Sequence, residues 1–185
     1  MSDRSWLLVV DPQRIFADPA SDWASPFWDD AWSRIRELAE HVGPERTLVT
    51  RWLPTADRTT AWGEYFRAWP FADVPATDPL YDLVDGAREL TVHPTIDEPT
   101  FGKWGPQLAG IVGPHPDLLL TGVSTDCCVI TTALAAADAG ARLSVVRDAC
   151  AASTAADGAA AVQVMGLFPP QIDVTSSTEV LGSTP

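Results

Sequence analysis

Short, unbroken apolar runs recur along the chain, each followed by a turn and then a longer helical stretch. Nothing else in the sequence restricts the possible folds as much. Leu7–Val10 (LLVV) and Leu118–Leu120 (LLL) are apolar at every position rather than at every second one, as expected of strands buried on both faces. Strands alternating with crossover helices build a parallel sheet. Strands are expected at Trp6–Val10, Thr47–Arg51, Leu90–Val92, Leu118–Thr121, Leu143–Arg147 and Ile172–Thr175. Helices are expected at about Asp30–Val42, Thr60–Trp69, Pro106–Val112, Asp126–Ala139 and Thr154–Leu167. The pattern predicts an α/β protein, with a six-stranded parallel sheet covered by helices on both faces in a three-layer, Rossmann-like arrangement.

Punctuation supports two of these helices. In TDCCVITTALAAADAG, Thr125 or Asp126 is the expected N-cap and Gly140 stands where a left-handed C-terminal cap belongs. The body between them is almost wholly apolar, so this helix should be buried. The stretch from Ser153 opens a second helix, which must stop before Pro169. The segments from Ala17 to Pro26 and from Pro70 to Pro79 read as loops or lids. At roughly 150 residues per domain, 185 residues make one domain, residues 1–185, with no internal repeat or linker.

Charge and cysteine content narrow the partners. Twelve Lys and Arg against 25 Asp and Glu leave a net charge of −13, which repels phosphate backbones and anionic lipid heads. Nucleic acid and membrane partners are therefore excluded, and a small-molecule substrate is expected. The run Trp6–Val10 is shorter than a signal-peptide core of roughly 7 residues or more, and no stretch approaches the roughly 20 apolar residues of a membrane span. Cys127, Cys128 and Cys150 form an odd set with two adjacent members, so no disulfide framework is expected and a cytoplasmic location fits.

Ligands of an open parallel sheet bind beyond the carboxyl ends of its strands. The residues there are Asp11, Arg51 and Trp52, the segment GVSTDCC, and Asp148. A thiol in the first turn of a buried helix lies near backbone N–H groups and the positive end of the helix dipole, which favour thiolate. Most cysteines in such helices are inert packing residues, and Cys127 is expected to be one. Cys128 is a candidate nucleophile. Asp11 is either a cap for the turn with Pro12 or a catalytic acid, and Lys103, read by itself, is a solvated surface charge.

Two motifs in register carry a resemblance. LLVVDPQRIF resembles the opening VIDxQxxF of the isochorismatase-like cysteine hydrolases. LLLTGVSTDCCVITTALAAADAG resembles their signature GVxTDxCVxxTAxxAxxxG, followed by a further strand ending in Asp, here VVRDAC. The resemblance implies a catalytic triad of Asp11, Lys103 and Cys128. It also implies a cis peptide between Val123 and Ser124, with the Ser124 and Cys128 amides forming an oxyanion hole. On this mapping Cys127 has no catalytic role, and if Lys103 is not in the site Arg51 is the nearest basic substitute. Homo-oligomers, dimers or tetramers, are common in the family.

The implied reaction is hydrolysis of a C–N bond in a small amide, carbamate or ureido compound through a Cys thioester, with no cofactor. Nicotinamidases of the family bind a metal through Asp-x-His and a further His after the second strand, where this chain reads TRWLPTADRTTAWGEYF. Its histidines, His41, His93 and His115, are widely separated, so no metal site is expected. Phe16, Trp52, Trp62, Phe66 and Trp104 are the expected apolar wall of the substrate pocket. The alternatives are a vinyl-ether hydrolase of the isochorismatase type, which lacks the nucleophilic Cys, and a catalytically silent binding protein of the same fold. A flavodoxin-like electron carrier ranks below both, because no phosphate-cradling loop follows the first strand.

Overall fold

The computed structural model describes residues 5–182. The first four residues, part of the N-terminal stretch compared above with a signal peptide, lie outside them. Six strands form one all-parallel sheet: β1 (Trp6–Val10), β2 (Thr47–Trp52), β3 (Ile96–Glu98), β4 (Asp117–Val123), β5 (Arg142–Ala151) and β6 (Ile172–Thr175). Their spatial order is β3-β2-β1-β4-β5-β6, so the chain reverses its direction of growth between β1 and β4. A crevice opens there at the carboxyl ends of the strands.

Alternate residues of one strand feed two separate cores. Leu8 and Val10 of β1 point into a cluster with Leu48, Leu120, Val129 and Ala133. This cluster is closed by α4 (Pro106–Val112), α5 (Ile130–Asp138) and α6 (Ala155–Met165). Leu7 and Val9 point to the opposite face, against Ile35, Leu38 and Val42 of α2 (Trp28–Val42) and Val180 of α7 (Ser177–Gly182). Double coverage explains why these strands are apolar at every position. A third cluster, rich in aromatic rings, lies around α1 (Arg14–Ala17) and α3 (Ala61–Ala68) and includes Phe16, Trp52, Phe66 and Tyr81. Among the described residues no helix is long and apolar enough to cross a membrane.

Several sequence expectations need correction. The third strand lies at Ile96–Glu98, not Leu90–Val92; Arg88–Leu90 is a 3-10 turn. The apolar pair Leu90 and Val92 was the misleading signal, since Val92 is exposed while Ile96 is fully buried and pairs with Thr50 of β2. The fifth strand runs on to Ala151, so Asp148 lies within it and not at its end. The Asp148 carboxylate accepts hydrogen bonds from the Ser177 amide (2.7 Å) and hydroxyl (2.6 Å), which anchors α7 away from the crevice. Thr154, not Ser153, caps α6, and its hydroxyl accepts the Asp157 amide.

The helix after β4 also starts differently. Residues Thr125–Val129 form a π-helical turn before α5 begins, and neither Thr125 nor Asp126 caps it. Asp126 instead accepts the Ser153 amide at 2.8 Å, tying this turn to the loop after β5.

Candidate active site

Asp11 follows β1 directly and adopts a left-handed conformation with φ 48°, uncommon for a non-glycine residue though Asp tolerates it. Thr50 of β2 fixes it twice. The Asp11 amide donates to Thr50 Oγ1 (3.1 Å), and that hydroxyl donates to Asp11 Oδ1 (2.6 Å). Lys103 comes from the segment between β3 and α4, and its Nζ lies 3.1 Å from Asp11 Oδ2, both side chains being 0% exposed. The same Nζ donates to Thr100 O at 2.7 Å.

Cys128 sits in the π-helical turn, is 3% exposed, and its thiol lies within the electrostatic reach of Asp11 and Lys103. Thr132, one helical turn further on, connects the parts. Its hydroxyl donates to Cys128 O (2.6 Å) and accepts the Lys103 amide (2.9 Å). The structure thus brings Asp11, Lys103 and Cys128 to one point from three separate elements.

Burial dominates the electrostatics. It pushes the Asp11 carboxyl above its usual value, against the opposing pull of the Lys103 charge and the hydrogen bonds from Thr50 and Lys103. Burial, followed by the nearby Asp11 charge, pushes the Cys128 thiol well up. The resting cysteine is therefore a thiol, contrary to the thiolate expected from its place at a helix start. Moving its proton to Asp11 keeps the net charge of the buried trio unchanged, whereas losing it to solvent would leave an uncompensated anion in a low-dielectric interior.

Arg51 does not take part. Its guanidinium pairs with Asp97 at 2.6 Å on the edge of the sheet, with side chains 27% and 35% exposed. Arg51→Met should change stability by no more than about 1 kcal/mol and leave turnover nearly unaltered. Urea midpoints and steady-state rates would show this, and a loss of activity comparable to that of a Lys103 variant would place Arg51 in the site instead.

A cavity of about 350 Å³ opens onto Cys128, with Ser124, Cys127 and Ser153 beside it. Phe16 and Trp52 are in its wall, as the sequence suggests. Trp62, Phe66 and Trp104 are not. On α3, Trp62 and Phe66 form one i, i+4 stripe facing inward, while Tyr65 and Trp69 form the next stripe and face the cavity. Phe66 stacks behind Trp52 (centroids 5.9 Å apart) and Trp62 packs on Phe101 (4.9 Å), so both support the wall without forming it. Trp104 packs against the hydrophobic core beside Phe101. Cys127, expected in the core, is exposed and lines the cavity.

Trp52 is held in place by Gln13. The Gln13 side-chain amide donates to Trp52 O (3.0 Å) and Tyr81 O (2.8 Å) and accepts the Trp52 amide (2.7 Å). The segment after α1 closes the other side with Asp22, Trp23 and Ala24. Ser25 pins it by donating to Ala152 O at 2.6 Å.

The backbone at Ser124 and Cys128, where the resemblance implies an oxyanion hole, has a particular pattern. The Val123–Ser124 peptide is cis. The Ser124 carbonyl, which in an α-helix would accept the Cys128 amide, instead accepts those of Cys127 (3.1 Å) and Val129 (3.0 Å). For metals, the described residues hold no group of three or more His, Cys, Asp or Glu arranged as ligands. His93 is engaged by Glu45 O and packs on Trp6, remote from the crevice.

Comparison with known proteins shows the fold and the family. The chain is similar to a cysteine hydrolase from Pseudomonas syringae pv. phaseolicola 1448A, at 17% identity and TM-score 0.77 over 98% of this chain and 93% of that one. It is similar to an isochorismatase family protein from Desulfovibrio vulgaris subsp. vulgaris str. Hildenborough, at 20% identity and TM-score 0.77 over 97% and 98%. A MAR1 ribonuclease from Caenorhabditis elegans matches at 21% identity and TM-score 0.67 over 97% and 81%. Comparison with curated proteins gives no match. Residues 5–179 match the isochorismatase domain, and the chain belongs to the isochorismatase family of hydrolases.

Proposed function

We propose that the chain hydrolyses a C–N bond of a small amide, carbamate or ureido compound through a thioester on Cys128. One observation carries this reading: the Cys128 thiol lines an apolar cavity, and behind it lies a fully buried carboxylate–ammonium pair, Lys103 Nζ standing 3.1 Å from Asp11. A vinyl-ether hydrolase needs no nucleophilic sulfur. This reading assigns the chemistry to these three side chains and the backbone.

Asp11 takes the thiol proton as the sulfur attacks the carbonyl carbon, so the charge that appears on sulfur passes to the substrate oxygen. In this reading the Ser124 and Cys128 amides donate hydrogen bonds to this oxyanion, and the π-helical turn supports it, because the Ser124 carbonyl accepts the Cys127 and Val129 amides and not that of Cys128. As the tetrahedral intermediate collapses, the C–N bond breaks and the leaving nitrogen takes the proton from Asp11. Water then attacks the thioester and gives a proton to Asp11. The C–S bond breaks, and Asp11 returns the proton to sulfur. Lys103 remains paired with Asp11 throughout and limits how far burial raises its pKa.

The test is to catch the intermediate. A panel of primary amides, carbamates and ureido acids is screened for ammonia release, and reactions with active members are quenched in acid and digested. Fragment masses should place an acyl group on Cys128 and none on Cys127. Ammonia release with no acyl group on Cys128 would overturn the reading, as would a panel without any turnover.

A further inference from the structure

We propose that the cavity selects substrates whose acyl part carries a permanently cationic apolar head, a quaternary ammonium group, and that Asp22, Tyr65 and Trp69 set this preference. The reaction rests on the amide-hydrolase reading above; the binding preference does not.

The lining residues carry the argument. Trp23, Trp52, Tyr65, Trp69 and Phe101 all face the cavity, and the only charged residue in its wall is the carboxylate of Asp22 at the exposed mouth. Asp22 forms no ion pair among the described residues. Lys103 is sealed behind the site with Asp11, and Arg58, which lies over the Phe66 ring behind Trp52, is paired with Asp73. An anionic head would therefore meet a like charge and no partner while losing its water.

A cation meets the opposite situation. Trp23 stands at 47° to Tyr65 and 69° to Trp69, with centroids 5.7 and 5.6 Å apart, so the wall presents π faces and edges at several angles rather than one flat stack. Ring faces attract cations, most strongly where water is excluded. A diffuse trimethylammonium group loses less hydration than a primary ammonium and also buries its methyl groups against the rings. The net charge of −13 further raises the local concentration of cations.

Three acetamides that differ only in the group on the methylene carbon test this: trimethylammonium, its neutral isostere tert-butyl, and carboxylate. Each is titrated calorimetrically into Cys128→Ala protein, which has no nucleophile, and each is offered to the wild type for ammonia release. The cation should bind roughly tenfold more tightly than the tert-butyl compound, and the carboxylate should bind weakest. Asp22→Asn and Trp69→Leu should each reduce the ratio of cation to isostere affinity by at least about threefold.

Equal affinity for the cation and its isostere overturns the proposal. So does a preference for the carboxylate, an unchanged ratio in both variants, or no binding at all. Tight cation binding without ammonia release from the wild type would leave the selectivity standing and bring down the amide-hydrolase reading.

Discussion

Lys103→Met is expected to lower stability by about 3 to 5 kcal/mol at neutral and alkaline pH and kcat/KM by roughly 100- to 10,000-fold. Methionine nearly matches lysine in length, so the cavity left behind is small and the effect is one of charge. Removing the ammonium leaves Asp11, fully buried, with the Thr50 hydroxyl as its side-chain hydrogen-bond partner. In the wild type the Lys103 charge opposes the upward push of burial on this carboxyl. Without it the pKa of Asp11 rises further above its unfolded value.

The signs follow from linkage. A carboxyl whose folded pKa is raised contributes stability that is fully present below its unfolded pKa and is lost as pH rises through the folded one. The stability deficit of the variant should therefore shrink in acid, where Asp11 takes up a proton, and widen as pH rises. Catalysis needs the carboxylate form. The acid limb of kcat/KM should lie above the usual aspartate range in the wild type and move to higher pH in the variant. Urea titrations across pH, with rate profiles of both proteins, would show this. A pH-independent deficit, or an acid limb that stays in place, would mean that Lys103 does not hold the Asp11 charge.

The family and the position of the proposed nucleophile were legible because both depend on local pattern. Apolar runs buried on two faces identify parallel strands, and the residues after such strands must border the crevice, which located Asp11 and Cys128. Lys103 was legible only through resemblance, since nothing local distinguishes a buried lysine in FGKWGP from a solvated one. Its burial depends on Asp11, 92 positions earlier in the chain, and on Thr132, which joins Lys103 to Cys128 by a single hydroxyl.

Other misses have the same origin. Ile96–Glu98 is a three-residue edge strand with one buried side chain, too short for a periodicity to develop. The α3 residues expected in the wall, Trp62 and Phe66, do not line it, because the choice between stripes depends on the rotation of the helix about its axis. That rotation is set by contacts with Phe101 and Trp52. Cys127 is exposed because the π-helical turn redirects side chains that an α-helix starting there would place differently.

Gly122→Ala should be the most disruptive single methyl group in the central sheet, at roughly 3 to 5 kcal/mol when backbone strain and overpacking are combined. Gly122 has φ +116°, which L side chains rarely adopt, and an added Cβ would lie 2.1 Å from Val10 O and 2.6 Å from Val10 N. These are backbone atoms of the paired strand, so no side-chain rotation relieves the contact, and β1 and β4 must separate. That separation occurs one residue before Asp11 on β1 and two before Ser124 on β4. The Asp11 carboxylate and the Ser124 amide, the proposed oxyanion donor, would move apart, and turnover should fall even at temperatures where the variant is folded. Gly110→Ala is the control: Gly110 lies within α4 with open space where its Cβ would be, and the change should stabilise by about 0.5 to 1 kcal/mol. Denaturant midpoints and rates on the two variants decide the matter. Equal midpoints for Gly122→Ala and the wild type would show that the strands can accommodate a side chain there, and that the site does not depend on the close approach of β1 and β4.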